Sequence, residues 1–364
     1  MLKYSLGLDI SAYDIHCCFS AIDLQQKVIV KSSCKITNNP KGFEKMVDWL
    51  GKHRKQQEIP LVITMEATGV YFEHCALFLY QQQYNIAVVL PNKAKKYLQA
   101  TGLKSKNDKI DAQGLARMGA EQSLELWQPM GEYYYQLRTL TRHHQSIQEL
   151  KTNVANQFHA DEKGMYVNKE VLAQLNTLIE TFEKQLQELN GLIEAHIESN
   201  AEIASKVKNV CTVKGLGLHT VAVILAETNG FLLFKNSGQL VSYSGYDVVQ
   251  NDSGKHKGKT RISKKGNSRI RRALFMPAFS VVTHKVKPFL DLYQRTFAKH
   301  HQKMKSYVAV QKKLLVLIYS LWKAEAKFDE SYCNKKSKEQ EPELPLCASA
   351  IAEGVGTENK IALA

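Results

Sequence analysis

The sequence predicts an α/β domain at the N-terminus, joined through a helical coiled-coil spacer to a mostly α-helical C-terminal region. Three observations predict it: apolar runs between 4 and 36 separated by short polar turns, a strand–helix alternation from 61 onward, and long glutamine-rich segments with helical periodicity from about 130 to 210.

GLDIS, HCCFSAID and KVIVKSSCKI read as three strands of an antiparallel meander. PKGFEKMVDWLGKHRK then reads as a helix, with Pro40 near its start and a basic last turn that complements the helix dipole. LVITM, the helix YFEHCALFLYQQQ, the short strand NIAVVL and a helical stretch after Pro91 follow. Meander strands followed by parallel strand–helix units describe an RNase H-like sheet, spanning residues 1–128.

Four acids occupy informative places in this frame. Asp9 ends one apolar run, Glu66 ends another, and Asp108 and Asp111 share KNDKIDAQGLARMGA. The two strand ends lie where ligands of open α/β sheets gather, and acids three apart on a helix project from one face. Four converging carboxylates repel one another unless a cation neutralises them. Hard oxygen donors select Mg²⁺ or Mn²⁺ over zinc, and the matching chemistry is phosphoryl transfer, with two metals roughly 4 Å apart. Taken singly, each acid also fits a structural role: a strand-end turn, a surface group, or a helix cap with a first-turn acid.

The charge balance points to a polyanionic substrate. Lys and Arg number 49 against 35 Asp and Glu, a formal net charge of +14, so nucleic acid is the first expectation. No run approaches the ~18 apolar residues of a spanning helix, and the N-terminus enters a strand pattern without a signal-peptide cleavage region, so a cytoplasmic protein with no membrane partner is expected. Seven cysteines, an odd set without a CxxC pair, argue against a zinc ribbon and a disulfide framework.

Leu172, Leu175, Ile179, Phe182, Leu186, Leu189 and Ile193 follow the alternating spacing of a coiled-coil seam. An earlier helix carries Leu137, Leu140, Ile147, Leu150 and Val154, and HADEKGMYVNKE breaks the two apart. Residues 129–206 therefore form an antiparallel hairpin, whose seam serves either a dimer contact or intramolecular packing.

A C-terminal domain is expected over 207–330. Lys214, Gly215 and Gly217 in VKGLG resemble the hairpin of a helix-hairpin-helix motif, where backbone amides approach a DNA phosphate; a plain tight turn is the alternative. From Lys255 to Arg272 nine of eighteen residues are Lys or Arg, namely Lys255, Lys257, Lys259, Arg261, Lys264, Lys265, Arg269, Arg271 and Arg272, and none is acidic. Such a loop suits a phosphate backbone. Ser253, in the turn sequence Asn251-Asp252-Ser253-Gly254, is either a turn serine or a nucleophile served by the surrounding cations. Lys93, Lys95, Lys96, Lys104, Lys106 and Lys109 form a second basic segment beside the acid pair. The residues from 331 on read as a disordered tail.

GLDIS, MEATGVY, LKSKNDKIDAQGLA, VKGLG and SGYDVVQNDSGKHKGKTRISKKGNSRIRRAL together resemble, from about residue 4 to about 325, the DEDD-type insertion-sequence transposases, a family that includes Piv-like DNA invertases and bridge-RNA-guided recombinases. The resemblance implies a RuvC-like N-terminal domain, a coiled-coil spacer and a C-terminal transposase domain. It further implies Asp9, Glu66, Asp108 and Asp111 as Mg²⁺ ligands and Ser253 as nucleophile; many relatives carry a serine pair before the glycine, and here its first member is Asp252. Donor and target DNA, a bridge RNA, and a homodimer or tetramer on DNA, with acids of one protomer acting with the serine of another, complete what it implies. A RuvC-like hydrolytic junction endonuclease, in which Ser253 only contacts phosphate, is the competing expectation, and a non-catalytic nucleic-acid binder the third.

Overall fold

The computed structural model describes residues 1–67, 69–102, 107–250, 252–254, 256–258 and 260–329. The expectations for Lys104, Lys106, Lys255, Lys259 and the tail from 331 fall outside the described residues. The chain divides into two compact units, the first ending at Met130 and the second beginning at Gly131.

The first unit is a five-stranded sheet of order β3-β2-β1-β4-β5. Its strands are β1 (Lys3–Ile10), β2 (Asp14–Ile22), β3 (Val28–Thr37), β4 (Leu61–Glu66) and β5 (Ile86–Val89). β1, β2 and β3 pair antiparallel, while β4 joins β1, and β5 joins β4, in parallel. This is the predicted meander followed by parallel crossovers. Helices α1 (Pro40–His53), α2 (Glu73–Gln81), α3 (Pro91–Ala100) and α4 (Asp108–Glu121) connect or cover the strands.

Strand alternation sorts the sheet into two unlike faces. One carries Tyr4, Leu6, Leu8, Ile15, Phe19, Ile63 and Met65 into the main core, where Phe43, Met46 and Leu50 of α1 and Cys75 and Leu79 of α2 meet them. The other, bearing Ser5, Gly7, Cys18 and Thr64, receives α4. Small residues dictate that contact. A Cβ at Gly7 would overlap the Ala112 carbonyl and the Ala116 amide, and one at Gly119 would strike Thr64 and Ser5. Ala112 thus lies toward the carboxyl end of β1 and Gly119 toward its start, so α4 runs antiparallel to the strand.

The described residues of the second unit are helical apart from a small ribbon. α5 (Glu132–Glu162) and α6 (Lys169–Glu198) form the hairpin, with Ile147, Leu186 and Leu189 buried between them. α5 continues through His159–Glu162, residues expected to break it: Ala, Asp and Glu continue a helix, and the chain turns only at 163–168, which includes Gly164. α7 (Ala201–Val210), α8 (Leu218–Thr228), α9 (Ser237–Tyr243), α10 (Ser268–Ala273), α11 (Phe275–Thr283), α12 (Lys287–His300) and α13 (Lys303–Ala324) pack around a core centred on Ile224, Leu225, Phe231, Leu240, Tyr246, Leu274 and Leu314. Val221 through Thr228 of α8 are all buried. Among the described residues no helix is long and apolar enough to cross a membrane.

Candidate active site

In the first unit the acids gather at one corner by register. Leu8 of β1 pairs with Met65 of β4, so Asp9 and Glu66 follow in the next row, on the α4 side of the sheet by alternation. Asn107 caps α4 by accepting from the Ile110 amide at 2.9 Å, which makes Asp108 the first helical residue and keeps Asp111 in the first turn. Both acids therefore sit where the helix dipole favours negative charge, at the end of α4 that overlies the carboxyl end of β1.

His16 joins this corner. It pairs directly with Asp9 across β1 and β2, and its Nε2 stands 3.6 Å from Asp108 Oδ2. Sequence reasoning missed it, since a lone histidine in an alternating strand carries no ligand spacing; the cross-strand register to Asp9 is the signal that identifies it.

Among the described residues no three His, Cys, Asp or Glu side chains close into a metal-holding group. The fold supplies instead a shared corner for four carboxylates, and that donor chemistry fits a hard divalent cation such as Mg²⁺ or Mn²⁺. Asp9, Glu66 and Asp111 are partly shielded and Asp108 is exposed, so the corner opens to solvent. Beside it, Lys93, Lys95 and Lys96 lie exposed on α3. Tyr97 fastens that helix to α4 by donating to Glu121 Oε2 at 2.5 Å, while Arg117 donates to Oε1 at 2.7 Å. Burial pushes the Glu121 carboxyl up, and Tyr97 and Arg117 together outweigh it, leaving the group below its ordinary value.

In the second unit Ser253 sits at the tip of a nested ribbon. β6 (Val248–Val249) pairs with β9 (Arg261–Ile262), and β7 (Asp252–Ser253) with β8 (His256–Lys257). Ser253 and His256 are opposite each other, and Gly254 turns the chain after Ser253. Gly254 has φ +55°, the left-handed conformation such a turn requires and glycine adopts without strain. Ser253 is exposed.

The ribbon's root is fastened to the core. Ser263 donates its amide to the Asp247 carbonyl at 2.8 Å, and Asn267 to that of Tyr243 at 2.7 Å. A side chain on Gly266 would collide with the Tyr243 carbonyl. Arg271 turns inward, donating to the Ser244 carbonyl at 2.8 Å, and Arg272 pairs with Glu149. Beneath the root lies Glu227, 3% exposed, which sequence reasoning also missed inside its apolar helix. Arg142 grips both its oxygens, at 2.7 and 2.9 Å, and Asn267 donates to Oε2 at 2.7 Å. Arg269 Nε stands 3.9 Å from Oε1. Burial pushes the Glu227 carboxyl up, but Arg142 and Asn267 reverse this and hold it below its usual value. Arg261, Lys264 and Lys265 remain exposed along the ribbon, and Lys257 lies on β8.

The VKGLG turn joins α7 to α8. Gly215 has φ +90°, and a Cβ there would press on Ser280 of α11, so packing alone accounts for this glycine. Gly217 caps α8 through backbone alone, and it and Lys214 are exposed. In the next turn His219 lies against His144, ring centroids 4.2 Å apart. Burial, aided by His144, pushes His219 down to about 4.

Residues 6–161 match a family model described as a transposase, of the DEDD IS110 type, and residues 207–294 match the IS116/IS110/IS902 transposase family. Two curated relatives, the pilin gene-inverting proteins of Moraxella bovis and Moraxella lacunata, are each 27% identical over 334 residues, covering 91% of this chain and 99% of theirs. Among solved structures, RuvC of T. thermophilus in complex with a Holliday junction substrate aligns over 34% of this chain and all of its own, at 12% identity and a TM-score of 0.26, too low to bear on fold or site. Two family models in chain order and full-length relatives place this chain in the IS116/IS110/IS902 family of DEDD transposases, enzymes of DNA recombination.

Proposed function

We propose that the protein is a site-specific DNA recombinase of a mobile insertion sequence, in which Asp9, Glu66, Asp108 and Asp111 hold Mg²⁺ or Mn²⁺ and Ser253 is the nucleophile. The observation that carries this reading is the corner at the carboxyl ends of β1 and β4, where two strand acids share a row and the first turn of α4 lies above them. A divalent ion held there supplies charge neutralisation at the attacked phosphate and at the departing oxygen.

Ser253 Oγ forms a bond to phosphorus while one bond from phosphorus to a sugar oxygen breaks. The serine loses its proton and the departing sugar oxygen gains one. One phosphodiester becomes one phosphoserine ester, and attack by a second strand's hydroxyl reverses the exchange. The ester conserves the phosphodiester energy, so the exchange needs no nucleotide triphosphate. Exposed Arg261, Lys264 and Lys265 on the ribbon, Lys214 and Gly217 before α8, and Lys93, Lys95 and Lys96 on α3 contact the DNA backbone in this reading.

From the family resemblance the reading takes three further elements. A bridge RNA pairs with donor and target DNA, the helical hairpin acts as a coiled-coil spacer between a metal domain and the serine domain, and protomers assemble as dimers or tetramers with the acids of one acting on the serine of another. The Moraxella relatives' names make inversion one outcome to test.

The test is to express the protein with its flanking DNA and noncoding RNA, denature, and look for a covalent protein–DNA adduct. The expected result is an adduct in the wild type that is absent in Ser253→Ala and in Asp108→Asn. Mg²⁺-dependent cutting without an adduct, unaffected by Ser253→Ala, would make this a hydrolytic junction endonuclease instead.

A further inference from the structure

Phe275 and Met276 open α11 directly after Arg271 and Arg272 and face outward, 39% and 68% exposed. The same helix buries Pro277, Ala278 and Val281, so helical register alone turns the first two residues to solvent. Nor is Phe275 loose. Its ring lies edge-on to Phe279 with centroids 5.0 Å apart, Phe279 stacks on Tyr307 at 3.8 Å, and Tyr307 meets Tyr293 at 4.7 Å. The exposed ring is thus the end of an aromatic ladder that crosses α11, α13 and α12, a firm backing for a side chain that pushes against something.

The charge around it decides what that something is. From Gly254 to Ala324 the chain carries eighteen Lys and Arg and a single acid, Asp291. A second copy of this chain would bring the same cations to the contact. An apolar pair in such a field is complementary to a partner with an anionic exterior and flat apolar surfaces within reach, which is the chemistry of stacked bases between phosphates.

We propose that Phe275 and Met276 form a wedge that inserts between adjacent bases of bound DNA, opening the stack beside the strands to be exchanged. This rests on the reading that the protein recombines DNA. Phenylalanine and methionine are among the side chains that enter base steps this way, kinking the duplex and unstacking one step. The backing ladder keeps Phe275 from folding back onto the protein when it meets the bases.

The experiment uses the full chain and branched DNA carrying 2-aminopurine at successive positions beside the branch, since that base brightens when unstacked. Wild type is expected to raise the fluorescence several-fold at one position. Phe275→Ala/Met276→Ala is expected to lose that rise while binding the DNA within about twofold of wild type, because the cations that neutralise phosphates are untouched. Phe275→Trp is expected to keep it. Met276→Ala alone, at the more exposed position, serves if the double variant melts early. A wild type that binds DNA without brightening any position overturns the wedge and leaves the recombinase reading standing; a wild type that binds no DNA overturns both. Full brightening by the double variant also overturns it, and so does a drop in sedimenting mass in that variant, which would make the patch a contact between copies.

Discussion

Asp108 is the most exposed acid of the corner and the one His16 approaches, whereas Asp9 and Glu66 are carried by the sheet itself. Asp9→Asn and Asp108→Asn are expected to slow strand cleavage by about a hundredfold or more, measured in single turnover, with DNA retention on a filter unchanged. Another residue-scale expectation concerns His219. Its neutral form is favoured in the folded state, with a value pushed down to about 4 from 6.5. The unfolded chain therefore binds the extra proton between those values, and stability falls as pH drops from 6.5 toward 4. His219→Gln should flatten that slope in thermal melts recorded across the interval. The positions of the four acids were legible because each lies near the end of an apolar run or opens a capped helix. His16 and Glu227 were not, since what defines them is a cross-strand partner and an arginine 85 positions away, neither of which local sequence encodes.

The α4–β1 contact shows how an element sets a site. Gly7, Ala112, Ala116 and Gly119 let helix and strand backbones touch, so the first turn of α4 is held over the end of β1. Gly7→Ala forces the helix outward and is expected to cost about 1–3 kcal/mol by overpacking. Denaturant titration measures that cost, and calorimetric Mn²⁺ titration should show weaker binding as Asp108 and Asp111 withdraw. The α8 carboxylate acts similarly at the ribbon root. Glu227→Gln is expected to destabilise the protein by about 1–3 kcal/mol by weakening the bonds that Arg142 and Asn267 make to the buried carboxylate, visible as a lower melting temperature and faster amide exchange in Tyr243–Asp247. With its folded value depressed, Glu227 stabilises the protein fully above the ordinary glutamate value of 4.5 and loses that contribution as the pH falls below it. The sheet and its crossovers were readable from period-two runs and helix caps. The ribbon was not: two-residue bridges are too short to show a period, and Lys and Gly there read as a solvated loop.

At the scale of the whole chain, a +14 net charge and eighteen cations against one acid between Gly254 and Ala324 predict a steep salt dependence of DNA binding. Lys264→Gln/Lys265→Gln should lower the slope of log affinity against log salt by about 1.8 if both residues meet phosphates, read from fluorescence anisotropy over a salt series. Charge was the most legible property of the molecule because it requires no structure to count. How the cations divide between substrate and scaffold was hidden: Arg271 spends its guanidinium on the Ser244 carbonyl, and Arg272 on Glu149.

The fastened root also makes the serine ribbon a cassette. Its two ends leave the core side by side, locked by the Ser263 amide on the Asp247 carbonyl; Ile262 still packs against the core, and what lies beyond the β6–β9 pair can be lengthened, shortened or exchanged without altering a core residue. The reach of Ser253 is thereby separable from the stability of the domain that carries it, and a hairpin of different length can be grafted onto the same root.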